Sequence, residues 1–227
     1  MPERLLVVAA KSPQEGRVKT RLAAEGVSSS LCAALAAAFL TDTLAVAMNP
    51  AVRANVHLSL DGPAELLPPM ARSLPVFSQT GNSLGERMVQ ILEQGFTAGY
   101  ATVCIVGSDS PHLPPAFLIE AFGRLAAGAQ TLFGPADDGG YYLVGVHSTS
   151  AYHRLFEEIP WSSPETLAVT LRRAEEAGQT VSLLPPWHDI DTLSDLRRLS
   201  RDLRRGVVHA PATAALLQTE EFRNVFQ

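Results

Sequence analysis

The chain has 227 residues, of which 46% are hydrophobic and 18% are charged, and these are the proportions of an ordinary globular protein. They exclude a disordered chain, and the length demands no second domain, so we predict one domain over 1–227 with 207–227 as a C-terminal extension. The formal net charge of -5 argues against a nucleic-acid-binding surface.

The apolar run at 5–10 is too short to span a membrane and lacks the pattern of a cleaved signal peptide. The two cysteines, Cys32 and Cys104, have no metal-ligand spacing, and we predict that both are buried thiols in a reducing compartment. The sequence therefore predicts a cytoplasmic protein without a membrane span and leaves the oligomeric state open.

The first half of the chain alternates strand and helix patterns. Residues 5–10 predict a strand, 31–47 a helix that the preceding serines can cap, and 56–61 a strand of alternating polarity. Ser83 and Glu86 have the spacing of a capping box, which predicts that a helix begins there.

The alternation continues in the second half. The predicted elements are a strand at 101–106, a helix at 115–127, a strand at 141–146, a helix from 163 toward 178, a strand at 181–184 and an Arg-rich helix capped by Thr192. This order predicts an α/β fold with a mostly parallel sheet covered on both faces. Ligands of such sheets bind at the carboxyl ends of the strands.

A basic loop directly follows the first predicted strand. Lys11, Arg17, Lys19 and Arg21 could together offset the charge of a pyrophosphate, and Gly16 lets backbone N–H groups approach it. The alternative is a solvated basic loop. Its position at the end of a strand favours a nucleotide phosphate as the partner.

Two further segments place carboxylates at the same predicted edge. Asp109 follows a buried strand and could bind Mg²⁺ or Mn²⁺ together with substrate phosphates, or cap the following turn. Asp189 and Asp191 alternate along an extended segment, so they should point in opposite directions and only one should face the metal. We favour Asp191 as the second metal ligand over Asp189, and capping of the next helix is the alternative for either.

Paired glycines mark the segment before the strand at 141–146. Gly139 and Gly140 permit unusual backbone angles and a close approach to a ligand. Asp138 could act as a base or accept a hydrogen bond, but an aspartate before glycine is also a common turn residue. The dinucleotide and P-loop glycine spacings, zinc-ligand pairs and a nucleophilic-serine elbow are all missing from the sequence.

Four motifs in order resemble one family. They are A-K-x-P-x-x-G-x-V-K-T-R-L at 10–22, G-S-D-S-P-x-L at 107–113, G-P-A-x-D-G-G-Y-Y-L-V-G at 134–145 and D-I-D-T at 189–192. Together they resemble the DUF2064 transferases, labelled glycosyltransferase-like or radical-SAM/selenodomain-associated, which are similar to the guanylyltransferases for 2-phospholactate and molybdenum cofactor. Ser83 departs from the family pattern, which is expected to have an aspartate there.

The resemblance implies a GT-A fold, a three-layer α/β/α sandwich of the nucleotide-diphospho-sugar transferases. It implies that Lys11, Lys19 and Arg21 contact the nucleotide phosphates and that Asp109 is a metal ligand. It also implies that Asp138 and the neighbouring tyrosines, with Tyr141 first among them, face the acceptor pocket.

Three functions follow as hypotheses. The first is metal-dependent transfer of a sugar from a nucleoside-diphosphate sugar to a small acceptor. The second is nucleotidyl transfer from an NTP to a phosphorylated small acceptor, with release of pyrophosphate. The third is an inactive nucleotide-binding scaffold, which the departure at Ser83 keeps open.

Overall fold

A computed structural model of the protein describes residues 4–226, and within this range the strands form a single seven-stranded sheet. The strands are β1 (Arg4–Lys11), β2 (Asn55–Asp61), β3 (Val76–Ser78), β4 (Thr102–Gly107), β5 (Thr131–Pro135), β6 (Tyr141–His147) and β7 (Val181–Leu183). Their order in the sheet is β3-β2-β1-β4-β6-β5-β7. Every neighbouring pair is parallel except β4–β6 and β5–β6, so the predicted α/β fold with a mostly parallel sheet is confirmed.

Helices cover both faces of the sheet. They are α1 (Thr20–Ala24), α2 (Ser29–Ala47), α3 (Pro69–Arg72), α4 (Leu84–Thr97), α5 (Pro115–Ala126), α6 (Tyr152–Leu155), α7 (Thr166–Glu176), α8 (Leu193–Arg204), α9 (Pro211–Leu217) and α10 (Glu220–Val225), with a 3-10 turn at Ala64–Leu66. The structure therefore has three layers, as the resemblance implied.

Strand β1 shows why the sheet is buried on both sides. Leu6 and Val8 pack in one hydrophobic cluster, with side chains of α2 and α5. Leu5 and Val7 pack in a second cluster, with side chains of α4 and α7. Because successive side chains of a strand point to opposite faces, a continuous apolar run supplies both clusters.

The alternation of strands and helices was wrong at one point. The predicted strand at 141–146 was placed directly after a helix, but β5 lies between them and forms an antiparallel hairpin with β6. Strand β6 also runs antiparallel to β4. Its first residues therefore lie at the same sheet edge as the carboxyl ends of β1, β2 and β4.

The region after α8 packs back onto the first half of the chain. Leu217 and Phe222 join a third hydrophobic cluster with Cys32, Leu35 and Phe39 of α2. The outer bounds of the predicted single domain, 1 and 227, lie outside the described residues, and the single-domain organisation stays a prediction.

Helix α2 is long and apolar enough to cross a membrane by length and composition, with a mean hydropathy of 1.8. It nevertheless packs against β1, α3, α5 and α9, and 44% of its apolar window is buried inside the protein. Core helices of folded domains have the same composition, so this helix is weak evidence for a membrane span.

Candidate functional site

A cavity of about 600 Å³ opens at the carboxyl ends of the central strands. It brings together most of the predicted site residues: Lys11, Arg17, Lys19, Arg21, Asp109, Tyr141, Asp189 and Asp191. The positions agree with the rule that open α/β sheets bind ligands at this edge. The predicted residues that do not line the cavity are Gly16, Asp138, Gly139 and Gly140.

Lys19 forms the centre of the site. Only 5% of its side chain is exposed, and its Nζ lies 2.5 Å from Asp109 Oδ1. Nζ also donates to Ile190 O at 2.8 Å and lies 4.7 Å from the centre of the Phe39 ring. The backbone of Lys19 is left-handed, with φ of 49°, directly before α1. A left-handed backbone is unusual for a residue with a side chain and is found where surrounding contacts hold it.

The carboxylates around Lys19 come from two segments far apart in the sequence. Asp109 follows β4, and its side chain is 53% exposed. Asp191 precedes α8, lies 3.6 Å from Lys19 Nζ and accepts from Arg21 at 3.1 Å. The backbone N–H of Ile190 donates to Asp109 O at 3.0 Å, which ties the two segments together.

The prediction that Asp189 and Asp191 point in opposite directions was wrong. Both side chains line the cavity, because residues two apart in an extended segment point to the same side. Asp189 Oδ1 accepts from Ser110 Oγ at 2.6 Å. Burial raises the pKa of Asp189 to about 6; the negative charges of Asp109 and Asp191 act in the same direction, whereas the Ser110 hydrogen bond and Lys19 act against them.

The raised pKa of Asp189 predicts a pH-dependent stability. Since the folded protein binds this proton more tightly than the unfolded chain, the stabilisation from the protonated carboxyl is complete below about pH 4 and is lost as the pH rises through about 6. We expect Asp189→Asn, which stays neutral, to gain stability relative to the wild type between pH 4 and pH 7. Urea denaturation at pH 4.5, 6 and 7.5 measures this difference, and an equal difference at all three pH values would contradict it.

The glycine-rich segment forms the turn between β5 and β6. Asp138 is exposed, and its Oδ1 accepts from Gly140 N at 2.9 Å, as expected for a turn. Gly139 has φ of 88°, and a Cβ there would collide with the backbone of Pro164. The assignment of Asp138 as a base and of the two glycines to the acceptor therefore stays a prediction that this geometry does not favour.

Gly16 of the basic loop lies outside the cavity lining, whereas Tyr141 is part of it. Gly16 is exposed with φ of 73° and has open space around it, so its backbone angle explains the glycine without a bound ligand. Tyr141 lines the cavity beside Met88 and packs near Trp161. Burial holds the pKa of Tyr141 well above its usual value, so this hydroxyl stays protonated.

Two charged residues of the cavity were missed in the sequence. Arg87 of α4 lies 3.6 Å from Asp61 at the end of β2, and its Nε donates to Gly81 O at 3.3 Å. The position of Asp61 at the end of a predicted strand was a usable signal.

Ser83, where the family pattern expected an aspartate, caps α4 by accepting from Glu86 N at 3.1 Å. Only half of the predicted capping box forms, because Glu86 accepts from Asn82 N.

The carboxylates fit a divalent cation only in part. Magnesium prefers oxygen ligands and is often held by one or two carboxylates plus substrate phosphates. Within residues 4–226 no group of three or more His, Cys, Asp or Glu side chains is arranged to hold a metal ion. Asp109 and Asp191 therefore fit a cation that substrate phosphates help to hold, and they do not form a closed protein cage.

Comparisons with known proteins identify a family for this chain. Residues 36–163 match the model of the family described as "Uncharacterized protein conserved in bacteria (DUF2064)". No curated protein matches the chain by sequence.

Solved structures show the same fold. A protein from Desulfovibrio desulfuricans, provisionally named a nucleotide-diphospho-sugar transferase, is 29% identical with a TM-score of 0.81, covering 100% of this chain and 95% of that one. A CMP:2-keto-3-deoxy-manno-octonic acid synthetase complexed with CTP is 12% identical with a TM-score of 0.57, covering 89% and 99%. A nucleotidyl transfer enzyme from Methanothermobacter is 16% identical with a TM-score of 0.56, covering 89% and 98%.

Proposed function

Because this chain belongs to the DUF2064 family, whose model matches residues 36–163, we propose that it is a transferase whose donor is a nucleoside-diphosphate sugar. The observation that carries the proposal is the cavity in which Lys19, Asp109 and Asp191 meet beside the basic loop. The sugar would pass to a small-molecule acceptor bound in the same cavity. The likeness to the provisionally named transferase from Desulfovibrio supports this choice of donor.

The charges of the cavity suit a diphosphate. Its cationic side chains are Lys11, Arg17, Lys19, Arg21 and Arg87, and its carboxylates are Asp61, Asp109, Asp189 and Asp191. Arg21 is 67% exposed, so it can turn toward a ligand at little cost. Fixed cations next to the leaving diphosphate stabilise the negative charge that develops on it during the reaction.

Asp109 and Asp191 are the residues that would hold Mg²⁺ or Mn²⁺. A bound divalent cation would supply further neutralisation of the phosphate oxygens. Asp189 is the alternative second ligand. The same residue is also better placed than Asp138 to take a proton from an acceptor, because it lines the cavity and its pKa is raised to about 6.

The less charged part of the cavity lining suits the acceptor. Leu84, Met88 and Tyr141 contribute apolar side chains to this lining, and Ser162 adds a hydroxyl group with a left-handed backbone, φ of 60°. Apolar walls with a few polar groups are typical of small-molecule sites.

We also propose a cytoplasmic location, which the free thiols of Cys32 and Cys104 support.

Nucleotidyl transfer is the second candidate. In that reaction a phosphorylated acceptor attacks the α-phosphate of an NTP, and pyrophosphate leaves from the same basic loop. The synthetase solved with CTP shares the fold, which supports a triphosphate donor. An inactive nucleotide-binding scaffold is the third candidate. The departure at Ser83 is weak support for it, because Ser83 caps α4 and therefore has a structural role.

A panel of ligands tests the proposal. We expect nucleoside-diphosphate sugars with Mg²⁺ or Mn²⁺ to raise the melting temperature, because ligands that bind the folded state stabilise it. Arg21→Gln should weaken this effect, whereas Arg53→Gln, at the opposite sheet edge before β2, should leave it unchanged. Product analysis then separates sugar transfer from pyrophosphate release. The absence of any nucleotide-dependent shift would overturn the proposal and favour the scaffold.

A further inference from the structure

The ammonium group of Lys19 is held by partners inside the protein. An ammonium has three hydrogens to donate. Asp109 Oδ1 at 2.5 Å and Ile190 O at 2.8 Å take two of them, and the Asp191 carboxylate lies at 3.6 Å. The Phe39 ring closes the remaining side at 4.7 Å. At most one donor of this group is therefore left for a phosphate.

The same two carboxylates are those proposed for the divalent cation. A divalent cation bound to Asp109 and Asp191 would lie within a few ångströms of the Lys19 ammonium, and like charges at such distances repel strongly in a partly buried site. The two cations therefore compete for one position.

We propose that Lys19 is an internal counter-ion that occupies the divalent-cation position in the ligand-free protein. Its ammonium leaves the carboxylates when a nucleotide diphosphate offers it new acceptors, and the divalent cation then takes its place. This inference rests on the proposed function, since it needs the metal and the diphosphate. It predicts that metal and nucleotide each bind weakly alone and strongly together.

Arg21 provides a matched comparison. It is also a cation paired with Asp191, at 3.1 Å, but its side chain is 67% exposed and makes no contact with Asp109. Removing Arg21 lowers the positive charge near the carboxylates as much as removing Lys19 does. Only the removal of Lys19 vacates the position between Asp109 and Asp191.

The experiment measures Mn²⁺ binding to the full chain without nucleotide, from the electron paramagnetic resonance signal of free Mn²⁺. We expect Lys19→Met to bind Mn²⁺ on the order of tenfold more tightly than the wild type, because the competing charge is gone. Arg21→Met should change the affinity by less than about threefold, since exposed charges are screened. The double variant Lys19→Met with Asp109→Asn should lose the gain.

A second variant guards against misfolding. Lys19→Gln keeps a polar N–H donor and removes the charge, so it should show the same gain, and circular dichroism verifies the fold of each variant. Equal Mn²⁺ affinity in the wild type and both Lys19 variants would overturn this inference and leave the proposed function standing. So would an equal gain in Arg21→Met, or a gain that survives Asp109→Asn. If none of these proteins binds Mn²⁺, with or without added pyrophosphate, the proposed metal site fails together with the inference.

Discussion

Replacing Asp109 with asparagine is expected to lower kcat/KM at least about 100-fold, which is the size of the loss when one electrostatic group is removed from an oxyanion hole. The change removes the charge that pairs with Lys19 and one of the two proposed metal ligands, but it keeps the shape of the side chain. The backbone bond from Ile190 N to Asp109 O is unaffected, so the fold should persist. Steady-state kinetics with the donor found in the ligand panel measure the effect.

Asp138→Asn is the matched control for this prediction. Asp138 is also an aspartate in a loop beside the sheet, but it is exposed, bonded to Gly140 N and outside the cavity. We expect kcat/KM to stay within about threefold of the wild type, because a screened surface charge contributes little. A large loss from Asp138→Asn with a small loss from Asp109→Asn would reverse our assignment of the two residues and restore Asp138 as a candidate base.

Asp42→Ala is expected to cost about 2–4 kcal/mol of unfolding free energy, since it leaves buried donors without an acceptor. Asp42 of α2 is 2% exposed and accepts from Ala212 N at 2.9 Å, Thr213 N at 2.8 Å and Thr213 Oγ1 at 2.7 Å. Pro211 at the first position of α9 has no N–H group. The carboxylate therefore caps this helix from a distant segment, where helix N-termini favour negative charge.

Urea denaturation followed by circular dichroism measures that loss. Asp202→Ala is the matched control. The Asp202 side chain of α8 forms an ion pair with Arg198 at 4.0 Å, and because such pairs contribute little, we expect this substitution to change stability by less than about 0.5 kcal/mol. If Asp42→Ala is as stable as Asp202→Ala, the capping role of Asp42 is wrong.

Local signals in the sequence predicted much of the fold. The apolar run of β1, the composition of α2 and the cap at Thr192 each determine structure through neighbours in the chain, and all three agree with the structure. The hairpin of β5 and β6 was missed because β5 was not predicted as a strand and because pairing direction depends on contacts between strands. A period-two pattern reads the same in parallel and antiparallel sheets.

In the candidate site, too, local signals predicted some positions, and contacts between distant segments determined the others. Position at the end of a strand was enough to bring Lys11 and Asp109 to one edge. The burial of Lys19 was not predictable, because its partners lie about 90 and 170 residues away and meet it only in the folded chain. The direction of Asp189 was wrong because side chains two residues apart in an extended segment point to the same side, and the prediction placed them on opposite sides.

The third hydrophobic cluster has a consequence for biosynthesis. Helix α2 packs with Leu217 and Phe222, and Phe39 of the same helix lies beneath Lys19. The ribosome synthesises α2 long before these partners, so a nascent chain that has not reached residue 211 exposes one side of its most apolar helix. Exposed apolar surface of this kind promotes aggregation. An mRNA truncated upstream of codon 211 would therefore yield a chain that chaperones and proteases must clear. The cluster that contains Phe39, which lies against Lys19 of the basic loop, would be complete only after α9 and α10 had left the ribosome.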